Sequence, residues 1–550
     1  MKTIAEIKHI LVILLIGFLL FGVSSCGEKL DQNPKNQYAK DNFWSNEVNA
    51  MIGLTGIYRG NINYGTQTNP SDWWTYCGIV FFEFTTDNAF DRRGKNAAQN
   101  RITNGTLLAN NAVIETYWKG SFVRIAGCNN FLENIVNVNM DEAKIKRMAA
   151  EARFLRACQY FYLSQFWGAV PLVTKTLTLE EANTATKTPK ADIINFLITE
   201  FSEAAADLPR YKDIPASEFG RASKQAALAF LGRVLLAEKR YSEASAVYKE
   251  IIDYKDNIID PDYGSIFSTK NEGSAENIFS VIYYETLAGN GLTQHGLPAV
   301  KGGWHIINPL ESLVTQYDFN DGTPFSYSDP RWNSHNMAAN RDPRFAATLL
   351  WDGCTFGGKK YICHPDSASS VDRLTYSIQA TRTGYGLRKY FDEDFNGDLK
   401  DGYGGNIPII RYAEVLLSYL EAELEGGKPI TQELLDATIN KVRGRASVKM
   451  PSISITDPAL LRPALRKERR IELAMEGIRY WDLLRWGILG QTMQGDFWGA
   501  SFPDAKYTGS KVDPTGKKRW WVDNKKFRIG QDEVWPIPEA ETNINPGLLN

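Results

Sequence analysis

The stretch RASKQAALAFLGRVLLAEKRYSEASAVYKEII at residues 221–252 constrains this chain more than any other, because it predicts two amphipathic helices joined by a short turn. Small and apolar residues fall at Ala227, Leu228, Leu231, Val234 and Leu235 and resume at Ala244, Val247, Tyr248 and Ile251. That is the helical period on each side of a break at 239–241. Gly232 sits inside the first helix, where glycine costs about 1 kcal/mol relative to alanine. Close approach of the second helix is the physical reason to expect it there.

The order Leu231, Gly232, Ala244, Tyr248 resembles a tetratricopeptide repeat, with an ordinary helical hairpin as the plainer alternative. Helical periodicity also predicts helices over 42–60, 110–138, 143–167, 191–208, 407–424, 432–445 and 460–486. The predicted fold class is therefore mostly α, with helical hairpins as a scaffold over about 110–255 and 407–486. Segments 61–104 and 256–406 are punctuated by Gly, Pro, Asn and Asp and read as loops and short strands, and a β-hairpin is expected around 520–529. With 62 basic and 64 acidic residues the net charge is −2, which excludes a global attraction to nucleic acid. Aromatics make up 12% of the chain and several stand in the loop segments, where they suggest ligand stacking more than core packing.

At the N-terminus Lys2 and Lys8 precede an apolar run over 10–23, long enough for a signal-peptide core and too short to span a bilayer comfortably. The run ends in Val23-Ser24-Ser25-Cys26, the pattern of a bacterial lipobox, with a plain secretory signal as the alternative. The expectation is a signal peptide over 1–25, a lipid on Cys26, an extended tether over 26–40, a single domain over 41–550, and a location outside the cytoplasm. Cys354 and Cys363 flank a short loop, so a local disulfide and two free thiols are both open.

Neither HExxH, GxSxG nor a Walker pattern is present, and outside the signal only four His remain: His295, His305, His335 and His364. Glu468, Glu472 and Glu476 recur every four residues, interleaved with Arg466, Arg469, Arg470 and Arg479, which reads as a structural ion-pair face rather than a glycosidase acid and base. Asp392, Asp394, Asn396 and Asp398 match the start of a calcium loop, although its twelfth position is Tyr403 instead of Glu; a solvated Asn-Gly turn explains the same letters. No cofactor is expected apart from that candidate Ca2+.

The lipobox followed by LDQNP, EARFLRA running into FWGAVPLV, IPIIRYAEVLLSYLEAE, ERRIELAMEGIRYWDLLRWG and the closing WPIP with NP together resemble the RagB/SusD family of Bacteroidota outer-membrane lipoproteins. The resemblance implies a tetratricopeptide-like scaffold with a loop-rich ligand face. It further implies a surface lipoprotein without enzymatic activity that hands glycans, or in some cases peptides, to a SusC-like TonB-dependent outer-membrane transporter. A lipid-anchored glycan hydrolase and a helical scaffold that binds only proteins are the alternatives.

Sugar rings stack their C–H faces on aromatics while their hydroxyls need directed polar partners. Two loop stretches meet that requirement: Trp304 and His305 after the glycines at 302–303, and Asp87, Asn88, Phe90, Arg92, Arg93 and Asn96, with Trp73 and Trp74 as neighbours. Pinning of loops to the helical body is the alternative role for the tryptophans. Arginine at positions 92 and 93, if it faces the ligand, favours an acidic sugar or a peptide carboxylate.

Overall fold

The computed structural model describes residues 43–60, 72–75, 78–375, 379–400, 402–507 and 509–549. The lipobox and Cys26, and residues 61–71 of the first loop segment, lie outside them. The long helices are α1 (Glu47–Arg59), α2 (Ala112–Ile135), α3 (Glu142–Phe166), α4 (Lys190–Asp207), α5 (Lys224–Ala237), α6 (Tyr241–Tyr254), α7 (Tyr412–Glu425), α8 (Pro458–Glu472) and α9 (Arg479–Arg485). Their starts follow from local chemistry. Asn46, Asn111, Asp141, Ser223 and Asp457 each accept a hydrogen bond from a backbone N–H of the first turn, and Pro458 opens α8 where no N–H is needed.

From α2 to α8 each of these helices packs on the next. The helices α6 and α7 are neighbours in space although about 160 residues separate them, so the loop-rich insertion leaves the stack after α6 and rejoins it at α7. The predicted hairpin is α5 and α6, and a Cβ on Gly232 would stand 2.5 Å from the Tyr248 ring, which explains the glycine. None of the described helices is long and apolar enough to cross a membrane.

Ten short strands among the described residues pair two by two, all antiparallel: β1 (Ala89–Asp91) with β3 (Ile307–Pro309), β2 (Asn277–Val281) with β8 (Ile407–Arg411), β4 (Leu349–Leu350) with β7 (Gly386–Leu387), β5 (Thr355–Phe356) with β6 (Lys359–Lys360), and β9 (Gln494–Ser501) with β10 (Arg519–Lys526). The β2–β8 pair, in register from Asn277 opposite Arg411 to Val281 opposite Ile407, joins the two ends of the insertion beside the helix stack.

Four sequence expectations need correction. Residues 407–411 form β8 before α7 begins, because a β-branched run of Ile pairs with β2. The helix over 432–445 breaks at Thr438 into Gln432–Ala437 and Ile439–Arg443. The helix over 460–486 breaks between α8 and α9, where Met475 and Gly477 take φ of 67° and 73°; a Cβ on Gly477 would stand 2.3 Å from the Ile79 carbonyl, and its N–H donates to Glu83 Oε1 at 2.7 Å. The segment 520–529 contributes β10, but its partner is the distant β9 rather than its own second half.

The ERRIELAMEG motif carries a buried charge lattice. Glu472 meets Arg344 at 2.9 Å, Arg411 at 3.1 Å and Arg445 at 2.8 Å, all four side chains with no exposure. Arg443 with Glu468 (2.6 Å), Arg445 with Glu276 (2.6 Å), Lys389 and Arg411 with Glu476 (2.7 Å each) and Arg344 with Asp342 (2.8 Å) extend it. Five cations thus face five carboxylates. The glutamates are structural, as their arginine neighbours predict, but they lie in the interior rather than along one helix face, and Glu476 stands beyond the end of α8.

Candidate functional site

The two loop stretches singled out in the sequence, about 210 residues apart, are joined by the β1–β3 pair. Asp91 stands opposite Ile307 and Phe90 opposite Asn308, the Arg92 N–H donates to the Ile306 carbonyl at 3.0 Å, and the Leu310 N–H donates to that of Asn88 at 2.8 Å. A third stretch joins them: the Arg382 N–H donates to Asn308 Oδ1 at 2.7 Å, while Asn308 Nδ2 donates to the His305 carbonyl at 2.9 Å. Exposed Arg382 thus lies close to the end of β1, with exposed Lys95 and Asn96 following β1 in the chain and half-buried Trp304 preceding β3.

Electrostatics at this edge are one-sided. Arg93 binds both oxygens of the fully buried Asp91, at 2.7–3.0 Å, and Gln99 Oε1 at 3.2 Å. Arg92 is 9% exposed, and burial lowers its pKa to about 10, with Asp91 opposing and the nearby Arg382 and Arg93 adding to the fall. His305, in the left-handed region at φ 51°, is fully buried against the Tyr361 ring; burial, helped by Arg92, lowers its pKa to about 3, so it is neutral at ordinary pH. Beneath it Asp372 accepts the Ala299 and Val300 N–H groups at 2.7 and 3.1 Å, and burial raises its pKa to about 6. Trp304 packs edge-on to His295, ring centroids 5.0 Å apart, and its backbone N–H donates to the Gln294 carbonyl.

Two cavities lie elsewhere, one of about 550 Å³ between α1 and α2 bordered by Trp44, Gly53 and Phe131, the other of about 100 Å³ bordered by Tyr211, Phe219 and Phe279. Neither is bordered by the residues just described.

A sequence model described as the SusD family matches residues 264–550, and one described as starch-binding, associating with outer membrane, matches residues 75–236. The chain belongs to the SusD family. A SusD-like carbohydrate binding protein from Bacteroides fragilis is 49% identical, the match covering 92% of this chain and 100% of that one, with a TM-score of 0.90. SusD-like protein P25 of Formosa agariphila is 26% identical over 97% of this chain and 96% of its own, and starch-binding protein SusD of Bacteroides thetaiotaomicron is 23% identical over 89% and 92%.

The quoted motifs of this SusD-family chain meet in its interior, and so do several residues expected at the ligand. Trp73 has no exposure: its ring stacks on Tyr117 at 4.0 Å and Tyr162 at 4.7 Å, beside Trp535 of the WPIP motif, and Nε1 donates to Ser121. Trp74, 3% exposed, packs against Phe279 and Tyr162. Trp535 in turn donates its backbone N–H to the Phe166 carbonyl and Nε1 to Tyr480, and Trp167 Nε1 donates to the Pro536 carbonyl. Both members of the Trp pair are core residues, because the Trp73 ring is stacked between aromatics and the Trp74 ring packs against aromatics and the Arg124 guanidinium.

Asp87 and Asn88 are likewise buried anchors. Asp87 pairs with Arg470 and Arg479 at 2.9 Å each; burial opposes its ionisation, but the two guanidinium groups outweigh it and hold the carboxyl well below the usual range. Asn88 accepts from Arg470 Nε and donates to Glu83, and Phe90 is 3% exposed. Of the predicted ligand residues, Arg92, Arg93, Asn96 and Trp304 remain at the surface edge, with His305 beneath them. Arg382 joins them at this edge. No sequence spacing signals Arg382, since only the Asn308 hydrogen bond brings it there.

The calcium-loop letters do not converge. Asp392 accepts from Ser268 Oγ at 2.5 Å and the Thr269 N–H at 3.2 Å, Asp394 pairs with Lys270 at 2.7 Å, Asp398 caps a turn by accepting the Lys400 N–H at 2.9 Å, and Asn396 is exposed. No group of three or more His, Cys, Asp or Glu side chains among the described residues is placed to hold a metal. The Asn-Gly turn is the reading that fits, because protein donors already occupy the carboxylates. Cys354 and Cys363 are buried free thiols: the Trp351 N–H donates to Cys354 Sγ at 3.4 Å and Cys363 Sγ donates to the Gly384 carbonyl at 3.0 Å.

Proposed function

We propose that this protein captures a glycan outside the cytoplasm, held at the outer membrane by a lipid on Cys26, and passes it without chemistry to a SusC-like TonB-dependent transporter. The observation that carries the reading is the match over 92% of this chain, at 49% identity and a TM-score of 0.90, to a protein described as carbohydrate binding. The names of the starch-binding relative and of the outer-membrane-associated family model point the same way. Surface chemistry is compatible with it, since Trp304 is only half-buried in the loop that leads into β3. Each glutamate weighed as a hydrolytic acid or base is engaged with buried cations, which is why capture is preferred to hydrolysis.

The test is calorimetric titration of a soluble form starting after Cys26 against panels of oligosaccharides and peptides. Saturable glycan binding without turnover is expected, and Trp304→Ala should weaken it by about 1 to 3 kcal/mol, the size of a well-packed aromatic contact, with little change in melting temperature. Binding to peptides alone, release of shortened sugars, or co-purification with a barrel without any small ligand would each replace this reading. Cys26→Ser should release the protein from the membrane fraction.

A further inference from the structure

Among the described residues, buried arginines are matched to acceptors with one exception. Twelve are buried among the described residues. Ten of them have a carboxylate within ion-pair distance, as Arg124 has Asp72 and Arg233 has Glu414. Arg341 instead donates to the Tyr317 and Val314 carbonyls at 2.9 and 2.7 Å. Arg92 has neither: among the described residues no side-chain hydrogen bond or ion pair reaches its guanidinium, and its Nε is sealed from solvent without a partner.

The surroundings remove the alternatives. Asp91, the adjacent carboxylate, is held on both oxygens by Arg93. Asp372 is turned to the Ala299 and Val300 N–H groups, with one oxygen 3.7 Å from His305 Nδ1. Exposed Arg382 and Arg93 add positive charge beside Arg92. A guanidinium stripped of most of its water and left without an acceptor is a standing cost to the fold, and crowding it with other cations raises that cost. An anion entering from solvent relieves both, and the planar fork of Arg matches the paired oxygens of a carboxylate or sulfate.

Accepting the glycan-capture reading above, we propose that the captured glycan is anionic, bearing uronate or sulfate groups, and that Arg92 binds one such group at the end of β1. A glycan rather than a free anion suits the place because half-buried Trp304 stands just before Ile307, the residue paired with Asp91, on the strand segment beside Arg92.

The probes are oligosaccharides of galacturonan, alginate and hyaluronan for uronate, sulfated galactan oligosaccharides for sulfate, and neutral glucans and mannans of matched length. Calorimetry should find an anionic member bound in preference to every neutral one, with affinity falling as salt rises from about 50 to about 500 mM. Arg92→Gln should reduce that affinity roughly tenfold or more, and Arg92→Lys should restore part of it, since charge returns without the fork. Melting curves establish that both variants fold, and the salt dependence of the wild type stands if either does not. Preference for a neutral glycan, or an anionic glycan whose affinity ignores Arg92→Gln, overturns the proposal and leaves glycan capture intact. Failure of every glycan, with or without peptide binding, overturns both.

Discussion

Replacing Glu472 by Gln keeps the shape of a buried side chain and removes its charge. In the folded protein three guanidinium groups, those of Arg344, Arg411 and Arg445, converge on this carboxylate at 2.8 to 3.1 Å with no solvent contact. The lattice is neutral as a whole, so the change leaves one net positive charge in the interior. Removing one partner of a buried pair costs about 3 to 5 kcal/mol, and since the Gln carbonyl still accepts one Arg hydrogen bond, a loss near 3 kcal/mol is expected.

Dependence on pH separates charge from shape. Burial opposes ionisation of Glu472, but Arg445, Arg411 and Arg344 outweigh it and hold its carboxyl far below the ordinary 4.5. The unfolded chain therefore takes up this proton first as pH falls, and the stability that Glu472 supplies, complete above about pH 4.5, is lost below it. Urea unfolding followed by circular dichroism at about pH 7 and about pH 4 should show a large gap between wild type and Glu472→Gln that narrows at the lower pH. Asp253→Asn, on the exposed Lys249–Asp253 pair, serves as the control and should cost less than about 1 kcal/mol. A Glu472→Gln loss no larger than the control, or a gap unchanged by pH, would refute the argument.

Three further outcomes follow from the geometry. Trp73→Ala should lower stability by about 3 to 5 kcal/mol in the same urea assay while leaving the ligand affinity of the folded fraction unchanged, the reverse of Trp304→Ala. Gly232→Ala gains about 1 kcal/mol of helix propensity but drives a methyl into the Tyr248 ring, so a net loss of about 1 to 2 kcal/mol is expected, and a stabilised variant would contradict the close approach. His305, whose pKa falls from 6.5 to about 3 on folding, supplies stability that is complete above about pH 6.5 and drains away as pH drops toward 3. His305→Asn, which tolerates the left-handed backbone, should flatten that part of the profile relative to wild type, although Asp372 contributes a slope of the opposite sign to both.

The helices were legible because their information is local. The period of apolar residues, a side-chain cap at the start and one glycine at a close contact sufficed for α2 to α6. Where the letters failed, a distant partner had intervened. Residues 407–411 carry helix-compatible Ile and Arg, yet β2 recruits them as a strand, and α8 stops where Gly477 must pass against Ile79. The partners of the acidic letters at 392–398 were likewise set at a distance, since Ser268, Thr269 and Lys270, more than 120 residues earlier, reach the oxygens of Asp392 and Asp394.

Residue chemistry alone determined which stretches hold aromatic and polar groups suited to a sugar, and family-like motifs determined the class of fold. Which of those groups face solvent was decided only by tertiary structure. Trp73 and Trp304 are the same residue type in similar loops, and their fates differ because Tyr117 and Tyr162 arrive from α2 and α3 to cover both faces of one ring, while the other keeps part of its surface. Asp87 and Asp91 are taken up by arginines that sequence spacing does not reveal as partners, leaving Arg92 without one. Burial and pairing are properties of neighbours brought together across hundreds of residues, and a linear pattern records the groups but not which of them will meet.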